Sequence, residues 1–266
     1  MAKLVDGHTK EQMNRKRKII AVPTIVIIAL LIFIIIPESK KEIRTQNFTF
    51  LFSSGIDSSR IYEISEVLEK KYLKVSNNLN TKPADNIEVN VYGERWRYIK
   101  STGNWGASGS IEGVSKLHFV NNSGSDVNIG KIAVHEFVHA VVLKLLIDRE
   151  PLPLDIKSFD EKFSKLPVWI WEGVSVYEAE QFYDPNTLEY FKNDEYPEIS
   201  ELNTRSKGQK IYTCGFTLIE YILKEYGQDK LVELIASYGD LENTFNVSEE
   251  QLARNWYKFI NEKYLN

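Results

Sequence analysis

Cysteine is almost missing from this chain. Cys214 is the one thiol in 266 residues, which excludes an intrachain disulfide framework and a thiolate zinc site. Any metal must be held by histidine and carboxylate, and there are four histidines. A basic excess is missing too: 33 basic and 37 acidic side chains give a formal net charge of -4. That leaves no chain-wide positive field to displace counterions from nucleic acid, so no nucleic-acid partner is expected. No repeat or low-complexity tract occurs, and 43% hydrophobic with 26% charged residues excludes collagen-like and wholly disordered chains. The length suits one main domain, or two.

What the sequence does have is one long apolar run. Ile19 to Ile36 (IIAVPTIVIIALLIFIII) carries no charge, and at about 1.5 Å per residue it reaches roughly 27 Å, close to a bilayer core. Arg15, Lys16, Arg17 and Lys18 precede it, in a segment of six basic and two acidic residues. A transmembrane helix over 19–36 is expected, behind a cytoplasmic tail over 1–18. A cleaved signal peptide is the alternative. Against it, the run is longer than the usual signal core and ends in Ile-Ile-Ile-Pro-Glu with no small-x-small site. No cysteine follows for lipid attachment. Residues 37–45 read as a juxtamembrane linker, and 46–266 as the exported domain. Beyond Ile36 the chain has 27 basic and 35 acidic residues, a charge of -8, which an anionic surface would weakly repel.

Within that domain the patterning changes once. Asn47 to Phe52, Asn86 to Tyr92 and Lys116 to Val120 alternate as strands do, and Asp57 offers a cap to a helix bearing Ile61, Ile64, Val67, Leu68 and Tyr72. Gly103 to Gly113 is rich in Gly and Ser. From there on, Gly130 to Ile147, Val168 to Phe182, Gln209 to Tyr226, Lys230 to Tyr238 and Glu249 to Tyr264 show helical spacing of apolar residues. Strands first and helices after predict an α+β fold: a small mixed sheet with helices segregated to one side.

Chemistry concentrates in His135-Glu136-Phe137-Val138-His139. Two histidines four apart stack on one helix face and can bring two ring nitrogens to one ion, with Glu136 placed to reach a water activated there. The surrounding helix is apolar nearly all round, so these polar groups need partners, which a divalent cation would supply. Two core histidines bonded to carbonyls, beside a surface glutamate, are the simpler alternative. A catalytic zinc site takes a third protein ligand. Leu145 stands where a metzincin would need His or Asp. Glu172, in a helix that Pro167 can start, is the better candidate, and Gly173 beside it would let that helix approach the first closely. Its alternative is a solvated helix carboxylate.

The HEFVH motif with Trp169-Ile-Trp-Glu172-Gly173 resembles the gluzincin zinc metallopeptidases, specifically their small peptidase MA-like domains. The stretch Tyr212 to Gly227 and the last two helices are similar to the tail of those domains, and the Gly-Ser region to their edge strand. The resemblance covers most of 46–266, loosely before Gly103. It implies a zincin-like α+β domain, one zinc ion held by His135, His139 and Glu172, Glu136 as general base, and a peptide or protein substrate. It further implies a hydrogen-bond donor from the helical half, for which Tyr212 is the choice, although packing could equally explain that tyrosine. One departure stands out. Thermolysin-like members carry a carboxylate one turn after the third ligand to orient a zinc histidine; here that position is Val176, beside Ser175, leaving Glu178 or a backbone carbonyl as substitutes.

Other residues are weaker candidates. His118 can line the cleft or simply sit on a strand surface. Gly103 to Gly113 can pair with a substrate backbone or form an ordinary loop. Cys214 reads as a core residue, and the five tryptophans as core or cleft lining. The expectation is a single-pass membrane protein, N-terminus in the cytoplasm, with an extracytoplasmic zinc endopeptidase domain in a bacterial envelope. The alternatives are a non-catalytic metal-binding or sensory ectodomain, and a zinc amidase or peptidase acting on cell-wall peptides.

Overall fold

Alternating apolar side chains build the sheet. Its strands are β1 (Lys40–Arg44), β2 (Phe48–Ser53), β3 (Ile87–Tyr92), β4 (Gly109–Glu112) and β5 (Lys116–Val120), in the order β1-β2-β3-β5-β4. Pairing is parallel for β2/β3 and β3/β5 and antiparallel for β1/β2 and β4/β5, so the sheet is mixed as expected. Phe48, Phe50, Phe52, Ile87, Val89, Val91, Leu117 and Phe119 give it one core face. The computed structural model describes residues 39–121, 128–193, 195–204 and 210–265. The span expected over 19–36 and the basic tail before it lie outside the described residues, among which no helix is long and apolar enough to cross a membrane.

The long helices are α1 (Ser58–Asn78), α2 (Arg95–Thr102), α3 (Ile129–Asp148), α4 (Ile156–Phe163), α5 (Val168–Glu178), α6 (Lys210–Tyr226), α7 (Gln228–Ala236) and α8 (Glu249–Ile260). With single turns between them, they make helix the larger part of this α+β unit. Asp57 caps α1 by accepting the Ser59 N–H, and Asn128 caps α3 by accepting the Lys131 N–H, each satisfying a backbone donor that the helix leaves open. α3 is buried on nearly every face. Phe137 wedges it onto the sheet, edge-on to Phe48 at 5.5 Å between ring centroids and stacked on Tyr72 at 5.8 Å. Two positions from each histidine, Phe137 points away from them, so the imidazoles face the helical half.

The structure departs from the sequence expectation at four places. Lys40–Arg44, placed in the linker over 37–45, is a strand that pairs with β2 from Lys40 opposite Ser53 to Arg44 opposite Thr49. Only Ile43 among its residues is partly buried, so no alternation marks it; backbone pairing with β2 makes the strand. The sheet therefore takes in Lys40–Arg44, ahead of Gln46. α2 falls among the strands, and the helices are not confined to one side. Tyr98, its one buried residue, packs with Tyr92 and Val120, which alternation turns away from the core face. α5 ends at Glu178 rather than Phe182, and the last helix stops at Ile260 before a π turn over Asn261–Leu265.

Candidate metal centre

α3 and α5 bring His135, His139 and Glu172 together, all three buried. Glu172 Oε2 lies 3.2 Å from His135 Nε2 and 3.6 Å from His139 Nε2. Ligands about 2.0–2.2 Å from a tetrahedral zinc stand roughly 3.3–3.6 Å from one another. The spacing and the two-nitrogen, one-oxygen donor set therefore fit such an ion, and these residues could hold a metal. Burial disfavours charge on both sides of the cluster, yet mutual attraction outweighs it. The Glu172 carboxylate, hydrogen-bonded to His135 and close beside His139, is held well below the usual range, and the His135 imidazole, beside Glu172 and Glu136, is raised. An anionic carboxylate is what a metal ligand must be.

Each imidazole is aimed from behind. Gln181 Oε1 is 2.9 Å from His135 Nδ1, and Ser175 Oγ is 2.9 Å from His139 Nδ1. The Ser175 hydroxyl donates to the Trp171 carbonyl at 3.1 Å, so its oxygen accepts the His139 Nδ1–H. Both rings thus carry the Nδ1 proton toward a fixed acceptor and turn Nε2 toward Glu172. Ser175, three residues after Glu172 on the same helix face, stood in the sequence only as the neighbour of Val176 and was given no such role. Neither was Gln181, beyond the end of α5.

Glu178, a substitute for that role in the sequence, serves elsewhere. Its Oε1 accepts from Asn78 Nδ2 at 2.8 Å, and its buried Oε2 has no hydrogen-bond partner among the described residues. Burial pushes its carboxyl above the ordinary 4.5, against the pull of Asn78 and nearby lysines. The folded state then holds this proton more tightly than the unfolded chain, and the group's contribution worsens as pH rises from 4.5 through its raised value. Denaturant melts should show Glu178→Gln gaining stability relative to the native chain between about pH 4 and about pH 8. Equal differences at both ends would contradict the raised value.

Gly173 makes a close approach, but to a different helix than expected. A Cβ there would meet Ile219 Cγ1 at 3.3 Å, and one on Gly215 would meet the Gly173 Cα at 3.0 Å. The tight crossing is therefore between α5 and α6, and it explains how Tyr212, one turn before Gly215, reaches the site. Tyr212 lines the cleft, its ring 6.3 Å from that of His135. Gly215→Ala should force the helices apart and cost about 1–3 kcal/mol in a denaturant melt, withdrawing Tyr212 in the process.

Glu136, half-buried, lines the same cleft of about 460 Å³ with His139, Trp171, Glu172, Tyr212 and the segment from Asn104 to Ile111. Trp171 stacks on His139 at 4.3 Å between ring centroids, with Phe163 edge-on behind it at 5.2 Å. β4 forms the facing wall as the edge strand of the sheet. Its Gly109 passes so close that a Cβ would lie 2.6 Å from Glu136 Oε1, a role invisible in the Gly-Ser composition. Tyr98 buttresses this wall, donating to the Gly109 carbonyl at 2.7 Å.

His118 stays out of the cleft. Leu117 and Phe119 take the core face, and His118 sits buried on the other, its Nδ1 3.0 Å from Tyr92 Oη and its Nε2 3.4 Å from Glu112 Oε2. Cys214 is a core residue of α6, beside Tyr190 Oη at 3.0 Å. Trp169 and Trp256 are core, Trp171 is cleft, and Trp105 is exposed.

No family model matches this chain, and no curated protein does. A solved structure, that of an aminopeptidase N family protein from Idiomarina loihiensis, is similar to it with 15% identity and a TM-score of 0.35, over 83% of this chain and 41% of that one. The chain thus spans less than half the length of that protein.

Proposed function

We propose that this chain is a membrane-anchored zinc endopeptidase of the gluzincin type, its zincin-like domain working on the extracytoplasmic side. The observation that carries this reading is the convergence of two Nε2 atoms and one carboxylate oxygen, from His135, His139 and Glu172, at a cleft that Glu136 also lines. The anchor rests on the uncharged run over 19–36 behind its basic cluster, which orients the N-terminus to the cytoplasm.

His135, His139 and Glu172 would hold a zinc ion, and the chemistry it would supply there is Lewis acidity, enough to polarise a peptide carbonyl and to lower the pKa of a bound water to about 7. Glu136 takes the proton from the attacking water and delivers it to the amine nitrogen as the carbon–nitrogen bond breaks. Tyr212 donates its hydroxyl proton in a hydrogen bond to the carbonyl oxygen as negative charge develops there. Gln181 and Ser175 keep both imidazoles oriented through each turnover, which holds the donor set fixed while charge moves. β4 offers its free edge to an extended substrate backbone.

Metal analysis of the purified full chain, together with release of peptides from an unfolded protein, tests the proposal. One zinc per chain and chelator-sensitive peptide release are expected. A chain that takes up no zinc, or a zinc-loaded chain that releases no peptide, ends it.

A further inference from the structure

The rim of the cleft carries a large side chain that the chemistry above does not use. Trp105 is 77% exposed, while its neighbours Asn104, Gly106 and Ala107 line the cleft beside Glu136, His139 and Glu172. A lone exposed apolar side chain is ordinary on a protein surface; what sets this one apart is its place beside the cleft and an indole suited to contacts that are apolar on one side and wet on the other. This one is presented rather than loose. Asn104 Oδ1 accepts the N–H groups of Gly106 and Ala107, each at 3.1 Å, and Thr102 Oγ1 accepts the Asn104 N–H at 3.2 Å. The Arg95 guanidinium donates to the Trp105 carbonyl oxygen at 2.6 Å.

Two features of the cleft say what would meet this side chain. The segment leads directly into β4, whose outer edge carries no strand among the described residues, so a chain extended along β4 would run past Trp105. Among the described lining residues the only carboxylates are Glu136 and Glu172, both already engaged in the chemistry, and no lysine or arginine lines it. Nothing in that lining therefore holds a substrate's terminal ammonium or carboxylate, whereas Trp171 and Tyr212 extend an aromatic surface inward.

We propose that Trp105 is a specificity-determining residue that receives a large apolar side chain of an extended polypeptide crossing the cleft. This rests on the peptidase reading above. Its contribution is made equally to bound substrate and to the transition state, so it acts on KM and leaves kcat unchanged.

The test measures binding apart from turnover. Full-length, zinc-loaded chain carrying Glu136→Gln is titrated with peptides of about ten residues, in which a single Phe is walked along an otherwise Ala/Ser sequence. In at least one register the Phe peptide should bind about tenfold tighter than its Ala counterpart. Trp105→Ala should erase that preference and Trp105→Phe restore it. With Glu136 intact, Trp105→Ala should raise KM for that peptide and spare kcat. A preference that survives Trp105→Ala, or its absence from the Glu136→Gln chain, overturns the proposal. Failure of the peptidase reading is seen separately, as a zinc-loaded native chain that binds these peptides and cuts none.

Discussion

Glu136→Gln is expected to lower kcat for peptide hydrolysis by about 10²–10⁴-fold, with one zinc still bound per chain and an unchanged melting profile. Glutamine keeps the shape of the side chain and removes its ability to accept a proton. Glu136 is only half-buried at the cleft and is not one of the three clustered donors, so the metal cluster and the packing of α3 should be indifferent to the change. The fall should appear in kcat and kcat/KM alike, the sign of a group that acts only in the transition state. Peptide release by the variant at the native rate would remove Glu136 from the mechanism. Loss of zinc would instead show that the carboxylate supports the cluster.

Gly109→Ala should cost about 10²-fold in kcat without unfolding the domain. An added methyl would lie 2.6 Å from Glu136 Oε1 and 2.7 Å from its Cγ, and no carbon can remain that close. The obstructing atoms belong to a side chain that can swing aside, and Gly109 itself is not in the left-handed region, so the backbone accepts alanine. The price is therefore taken from the position of the base. Because both substitutions act on one group, the double variant Gly109→Ala with Glu136→Gln should be no slower than Glu136→Gln alone. Kinetics of the three variants, with zinc content as control, measure this. Additive losses would mean that Gly109 acts through β4 and substrate rather than through Glu136.

These cases divide by the range of the contacts involved. The histidine pair was legible because a helix repeats every 3.6 residues, and four residues on is the same face whatever surrounds it. The core strands were legible because alternation records which side of a sheet is buried. Lys40–Arg44 lacked that signal, since an edge strand with exposed side chains is made by pairing to β2 alone. Glu178 was left open as a partner for a zinc histidine because helical spacing fixes a direction but not the neighbour found there, which proved to be Asn78 on α1. Gly173 was assigned the right property and the wrong partner, for the same reason.

By itself the sequence determined the metal-capable helix, the identity of the carboxylate on the second helix, the strands of the core and the apolar run ahead of the domain. Each is a matter of local spacing or composition, which the covalent chain imposes before anything folds. Only the tertiary structure decided that Gln181 and Ser175 stand behind the imidazoles, that Gly173 and Gly215 draw Tyr212 to the cleft, and that Gly109 leaves room for Glu136. Those contacts join residues tens of positions apart, and packing of helices and an edge strand around one core, not any repeat along the chain, sets their distances.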